Sequence, residues 1–202
     1  TLERTRAAYL STADKALFAS FPGRDWVILD REFGLLSGGK GALPLVQPAM
    51  FGPPERCFGH VQSSWPGLVF SADGKSAGFA FRIGRLFHDD GYADHRDIAV
   101  DALRALSPEA FVLETNAPAA AELFLHTLPD GRTLLQLINL TGWNGMTMEK
   151  ALPLSDICIS LPGEFDRVSS LDGAALPQLS HKDGRTELLL NADRLYQGYL
   201  LP

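Results

Sequence analysis

Between His88 and Asp97 the chain sets two histidines and four aspartates within ten residues, HDDGYADHRD. The chemistry open to such a cluster is divalent-metal coordination, with imidazole nitrogens and carboxylates converging on one ion. The candidate ligands are His88, Asp89, Asp90 and His95. A helical metal site needs its ligands three or four residues apart, and His95 has Ile98 and Ala99 at those offsets. His88–Asp90 are then left in a loop that closes on the turn signal Asp90-Gly91. From Asp94 onward the pattern is helical: Ile98, Ala99, Ala102, Leu103 and Leu106 form an apolar stripe, with Asp97, Asp101 and Arg104 opposite. Asp94 stands where an N-cap is wanted, Asp97 brings negative charge to the positive end of the helix dipole, and Pro108 ends the element. The favoured reading is therefore a hydrogen-bonded loop running into a capped helix, with no metal and no cofactor.

Other groupings carry less chemistry. Cys57 and His60 invite a thiol nucleophile, with Arg56 lowering the thiol pKa. A nucleophile elbow wants small neighbours, whereas Arg56 and Phe58 flank Cys57 and two prolines precede it. Gly38–Gly41, GGKG, lacks the spacing of a phosphate loop. No pair of carboxylates sits in a strand-end context that would suit glycoside chemistry. Trp65, Trp143 and Tyr196 could stack on a sugar ring, but packing roles suit them better. No catalytic residue is assigned, and carbohydrate is the one small-molecule partner class left open.

The elements that must position these residues fall into two halves, 1–115 and 116–202. In the first, DWVILD (Asp25–Asp30) reads as a buried strand and Gly38–Cys57 as mostly irregular. GLVFSADGKSAGFAFRIG reads as a hairpin turning at Asp73-Gly74, ahead of the helix. The second half has strand-like runs at short intervals: AAELFLHTL, RTLLQLINLT, DICISLP, FDRVSSL, LSHKDGRTELLLN and LYQGYLL. Leu135, Leu137 and Asn139 share one face of their strand, and Leu134, Gln136, Ile138 and Leu140 the other. That rhythm predicts a small antiparallel sandwich.

Composition narrows the function classes. A net charge of −6 without Lys/Arg clusters argues against nucleic acid, and no apolar run is long enough to span a bilayer. Two cysteines, Cys57 and Cys158, make neither a disulfide framework nor a metal knuckle, and both are expected to be unreactive thiols. The chain opens on Thr1 with no signal-peptide pattern; it reads as a processed product or a fragment, with a cytoplasmic location expected.

Taken in order, IGRLFHDDGYADHRDIAVDALRAL, ETNAPAAAELFLHTLPDGRTLLQLINLTG, LPLSDICISLP, VSSLDGAALP and LYQGYLLP form a series. It resembles the C-terminal part of multidomain bacterial glycoside hydrolases of the α-L-fucosidase and β-galactosidase-like kind. FGPPERCFGHVQSSWPGLV resembles a loop region of their α/β domain. The resemblance implies an α+β chain: part of a flavodoxin- or amidotransferase-like trimerisation unit over 1–115, then a β-sandwich over 116–202. Gln136 and Phe87 depart from the histidine and tyrosine common in relatives. A catalytic barrel of about 250 residues does not fit in this chain. The resemblance thus implies a non-catalytic tail serving oligomerisation and support of a barrel, with the rest of the parent enzyme or further copies of itself as partners. The rival expectation is a free-standing carbohydrate-binding sandwich module.

Overall fold

The structure, a computed structural model, describes residues 4–48 and 59–202. It is rich in antiparallel β-sheet, with two α-helices, and divides into two compact units, Thr1–Ala110 and Phe111–Pro202. No helix among the described residues is long and apolar enough to cross a membrane.

The first unit opens with β1 (Arg4–Ser11), β2 (Trp26–Gly34), β3 (Lys40–Val46), β4 (Gln62–Phe70) and β5 (Ala77–Phe79). Helices α1 (Ile83–Asp90) and α2 (Ala93–Leu106) follow, then a 3-10 turn at Pro108–Ala110. The sheet order is β2-β1-β3-β4-β5, and every pairing is antiparallel. This differs from the parallel, doubly wound sheet that a flavodoxin-like unit implies. Parallel pairing requires a crossover helix between strands, whereas both helices here come after the last strand.

The expected hairpin forms between β4 and β5. Asp73 Oδ1 accepts hydrogen bonds from Ser71 Oγ (2.6 Å) and Lys75 N (3.1 Å), and Gly74 takes the positive φ (68°) that the turn needs. β3 runs through the stretch read as irregular. Leu43 and Leu45 are fully buried in the unit's core, and that burial outweighs the turn chemistry of the surrounding glycines and Pro44. At one end the sheet curls until Gly34, closing β2, donates to the carbonyl of Ala80, just past β5 (2.8 Å). The free edge of β2 is met again at Ile28, whose carbonyl accepts a bond from His95 of α2 (3.1 Å). A side chain bonded to an edge-strand carbonyl takes up one of the acceptors open to strand addition.

The second unit holds β6 (Glu114–Thr115), β7 (Ala121–Thr127), β8 (Thr133–Asn139), β9 (Leu154–Pro162) and β10 (Ser169–Ser170). It continues with β11 (Gln178–Lys182), β12 (Arg185–Ala192) and β13 (Tyr196–Leu201). They form two four-stranded antiparallel sheets, β10-β13-β8-β7 and β11-β12-β9-β6. Glu114 and Thr115, which a division after residue 115 would leave with the first half, pair with β9. One core joins the sheets: Leu135, Leu137 and Tyr199 from the first, Ile157, Ile159 and Leu188 from the second. Leu135, Leu137 and Asn139 do share the inward face. Asn139, fully buried, donates to the carbonyls of Leu152 (2.8 Å) and Ala192 (3.2 Å) and accepts from Thr141 N and Oγ1. The polar side chain is thus satisfied on both ends, as burial demands.

Candidate functional site

The acidic cluster sits at the end of α1 and the start of α2. His88, Asp89 and Asp90 are the last turn of α1 rather than a loop, and Gly91 caps it at φ 70°, its N–H bonded to Phe87 O. Carboxylates at a helix C-terminus face the negative end of the dipole. Arg85, one turn back, offsets this by binding Asp89 Oδ2 from Nε (2.7 Å), while His88 Nδ1 lies 3.1 Å from Oδ1. The Asp89 carboxyl is held below its ordinary value by the Arg85 bond first and the His88 bond second, and the Arg85 guanidinium is raised in turn. A carboxylate so paired stays ionised at neutral pH, so Asp89 is unsuited to donate a proton as a general acid.

Beside this turn lies a cleft of about 600 Å3 between the end of β2 and α1. Phe33, Phe81 and Leu86 lie in its lining with Glu32, Arg82, Arg85, Asp89 and Asp90. It is the candidate site of the first unit. Glu32 and Arg82 carried no sequence signal, because β2 and α1 are brought together only by the curl of the sheet. Arg85 was missed as well, although its place four residues before Asp89 is the spacing at which a helical ion pair forms.

His95 does not join the other three candidates. It is buried on α2, where its Nε2–H donates to Ile28 O, a proton position assigned by that acceptor. Its Nδ1 is buried with no hydrogen-bond partner among the described residues, and Tyr92 meets the ring edge-on at 5.7 Å. His88, by contrast, is exposed. Among the described residues no three His, Cys, Asp or Glu side chains are gathered as a metal would need.

Two helix expectations are corrected. Asp94 is not the N-cap: Tyr92 holds that position without a side-chain bond, and Asp94, in the first turn, takes both guanidinium nitrogens of Arg24 (2.8 and 2.7 Å). Asp101 is not on the solvent face but 3% exposed, accepting from Ser20 N (3.1 Å) and Ser20 Oγ (2.9 Å). The buried face of α2 runs through His95, Ile98, Asp101 and Ala102, while Leu103 is turned out to solvent. The packed stripe is rotated by one residue because Ser20 satisfies the aspartate.

Of the remaining candidates, Arg56, Cys57 and Phe58 lie outside the described residues. His60 Nδ1 donates to Gln47 O (2.9 Å), and its ring meets Tyr9 (5.1 Å) and Trp26 (6.0 Å) edge-on, so it belongs to an aromatic cluster. Cys158 is a free, half-buried thiol on β9. Gly39 is required by sterics rather than by a phosphate, since a Cβ there would run into the carbonyl of Phe70. Trp65 and Trp143 are partly exposed, and Tyr196 Oη accepts from Gln136 Nε2 (3.0 Å).

No protein-family model matches the chain, and no curated protein matches it. Among solved structures it is similar to α-L-fucosidase isoenzyme 2 from Paenibacillus thiaminolyticus, with a TM-score of 0.73 and 18% sequence identity. The match covers 99% of this chain and 32% of that one, so this chain spans about a third of the fucosidase's length. The likeness is one of fold.

Proposed function

We propose that this chain is a non-catalytic C-terminal portion of a glycoside hydrolase, which supports a catalytic barrel and assembles copies of the enzyme. The observation that carries the reading is the fold match: nearly the whole chain superposes on a third of an α-L-fucosidase. The chemistry of the cleft agrees with it. Retaining and inverting glycosidases both need one carboxyl that holds its proton and a second that does not. Asp89, tied to Arg85, is an anion and cannot fill the first of these roles.

The test is to assay the purified chain on a panel of nitrophenyl glycosides. No turnover is expected. Activity that survives repurification and is lost on Glu32→Gln or Asp89→Asn would overturn the non-catalytic reading. Sedimentation velocity over a concentration series tests assembly, which requires a species larger than one chain.

A further inference from the structure

Strand β7 closes one edge of its sheet, and no described strand pairs with its far side. The other edges among the described residues are blunted in ways that discourage strand addition. β5, β6 and β10 are only two or three residues long, β11 ends on Lys182, and β2 gives its Ile28 carbonyl to His95. β7 runs for seven residues, AELFLHT, with neither lysine nor proline, and its register against β8 has no bulge.

Hydrogen bonds at the two ends of the β7-β8 ladder fix which backbone groups point outward. Leu140 N donates to Ala120 O (2.7 Å) and Leu128 N to Arg132 O (2.8 Å). Antiparallel ladders alternate, so Glu122, Phe124 and His126 bond to β8, while Ala121, Leu123, Leu125 and Thr127 direct theirs to the open side. Ala121 N is taken by Pro118 O (2.8 Å), and the others find no partner among the described residues. Side-chain burial agrees. Leu123 and Leu125 lie opposite Leu137 and Leu135, yet the β8 pair is fully buried and the β7 pair only half-buried.

This edge is complementary to itself. A second β7, laid antiparallel about a two-fold axis at Phe124, sets Leu125 opposite Leu123, His126 opposite Glu122 and Thr127 opposite Ala121. The open groups of Leu123 and Leu125, the Ala121 carbonyl and the Thr127 N–H all find partners, about six hydrogen bonds in all. The half-buried leucines cover one another, and a carboxylate faces an imidazole. Phe124, 42% exposed, meets its own image in a closely spaced, non-hydrogen-bonded pair. A slip of one residue points the backbone groups past each other, and a slip of two parts Glu122 from His126.

We propose that two copies of this chain pair through β7, antiparallel and centred on Phe124, so that their β10-β13-β8-β7 sheets become one continuous sheet. Such a contact is isologous, the commonest kind in homo-oligomers. The proposal deepens the assembly half of the proposed function and rests on that half alone.

The test is sedimentation velocity on the 202-residue chain from about 10 μM to about 1 mM, a range suited to a small interface. A dimer is expected in the upper part of that range. Leu125→Pro removes an outward N–H, where an edge strand admits proline, and His126→Glu sets carboxylates opposite one another. Each should weaken the dimer roughly tenfold or more, with circular dichroism showing that the variants are folded. Adding Glu122→Lys to His126→Glu should restore it. Oxidation should link Phe124→Cys copies at the axis, whereas His126→Cys thiols, about 13 Å apart along the strands, should stay unlinked. Peptide mapping separates these links from any made by Cys57 or Cys158. Assembly indifferent to these changes, or linking through His126→Cys instead of Phe124→Cys, would overturn the β7 pairing and leave assembly of copies standing. A chain that stays monomeric throughout would overturn both.

Discussion

Arg24 grips Asp94 with two parallel hydrogen bonds, 2.8 and 2.7 Å, across seventy residues of sequence. The pair ties the loop after β1 to the first turn of α2, and the same loop is anchored by Lys15, which bonds Asp25 at 2.9 Å. Asp94 therefore does its work through charge and geometry together, which a capping aspartate would not. An amide can cap nearly as well as a carboxylate, but it cannot replace a bidentate ion pair. We expect Asp94→Asn and Asp94→Ala to cost similar amounts. A double-mutant cycle with Arg24→Ala should give a coupling of about 0.5–1 kcal/mol, since Arg24 is largely exposed. Wild-type stability in Asp94→Asn would return the residue to a capping role.

Asp101 and Ser20 form a second long-range tie, and here burial raises the stakes. Asp101→Ala strands the amide and hydroxyl of Ser20, for an expected loss of about 1–3 kcal/mol in urea unfolding. Ser20→Ala should be milder, because the backbone amide still reaches the carboxylate. A neutral Asp101→Ala would mean that α2 does not pack on this face.

Asn139 is the equivalent in the sandwich. Its replacement by Leu removes both donors from the carbonyls of Leu152 and Ala192 and frees the Thr141 turn. The expected cost is about 3 kcal/mol, read as a lower denaturation midpoint with unchanged slope. Thr141→Val should cost less than half of that.

Tyr199 sets a pH limit on the same unit. Burial, then the charges of Asp172 and Asp193, push its phenol above the ordinary 10.0. The fold keeps the neutral form, so its contribution is complete below about pH 10 and is lost as pH rises through the higher folded value. In an absorbance titration, the tyrosinate step that Tyr199→Phe removes should lie above 10. An ordinary midpoint for Tyr199 would contradict its burial in the core.

Asp89 behaves in the opposite sense. Its folded pKa lies below 3.8, so its contribution is present above that value and lost as pH falls through the depressed one. Arg85→Ala should move the titration midpoint read from the Asp89 carbon resonance up toward its ordinary value, with His88 keeping part of the depression. EDTA should leave the melting temperature unchanged, whereas a metal held by His88, Asp89 and Asp90 would make the chelator destabilising.

What the sequence determined alone was whatever depends on neighbours in the chain. The strands of the sandwich were legible because inward and outward residues alternate, as in Thr133–Asn139, and because Asp-Gly and Pro-Asp-Gly mark the turns between them. The hairpin at Asp73-Gly74 and the helix ending before Pro108 were legible for the same reason. Tertiary structure alone decided everything that needs a distant partner. β3 is a strand because Leu43 and Leu45 find a core, although glycines and prolines surround them. Asp101 is buried because Ser20, eighty-one residues away, satisfies it, and that one pairing turns the helix stripe by a residue. The four metal candidates part company because the Ile28 carbonyl on β2 draws His95 into the core. Local propensities are worth tenths of a kcal/mol per residue, whereas burying a leucine or satisfying a buried carboxylate is worth one to several, on the order of the values these contacts carry. Where the two disagree, the distant contact wins.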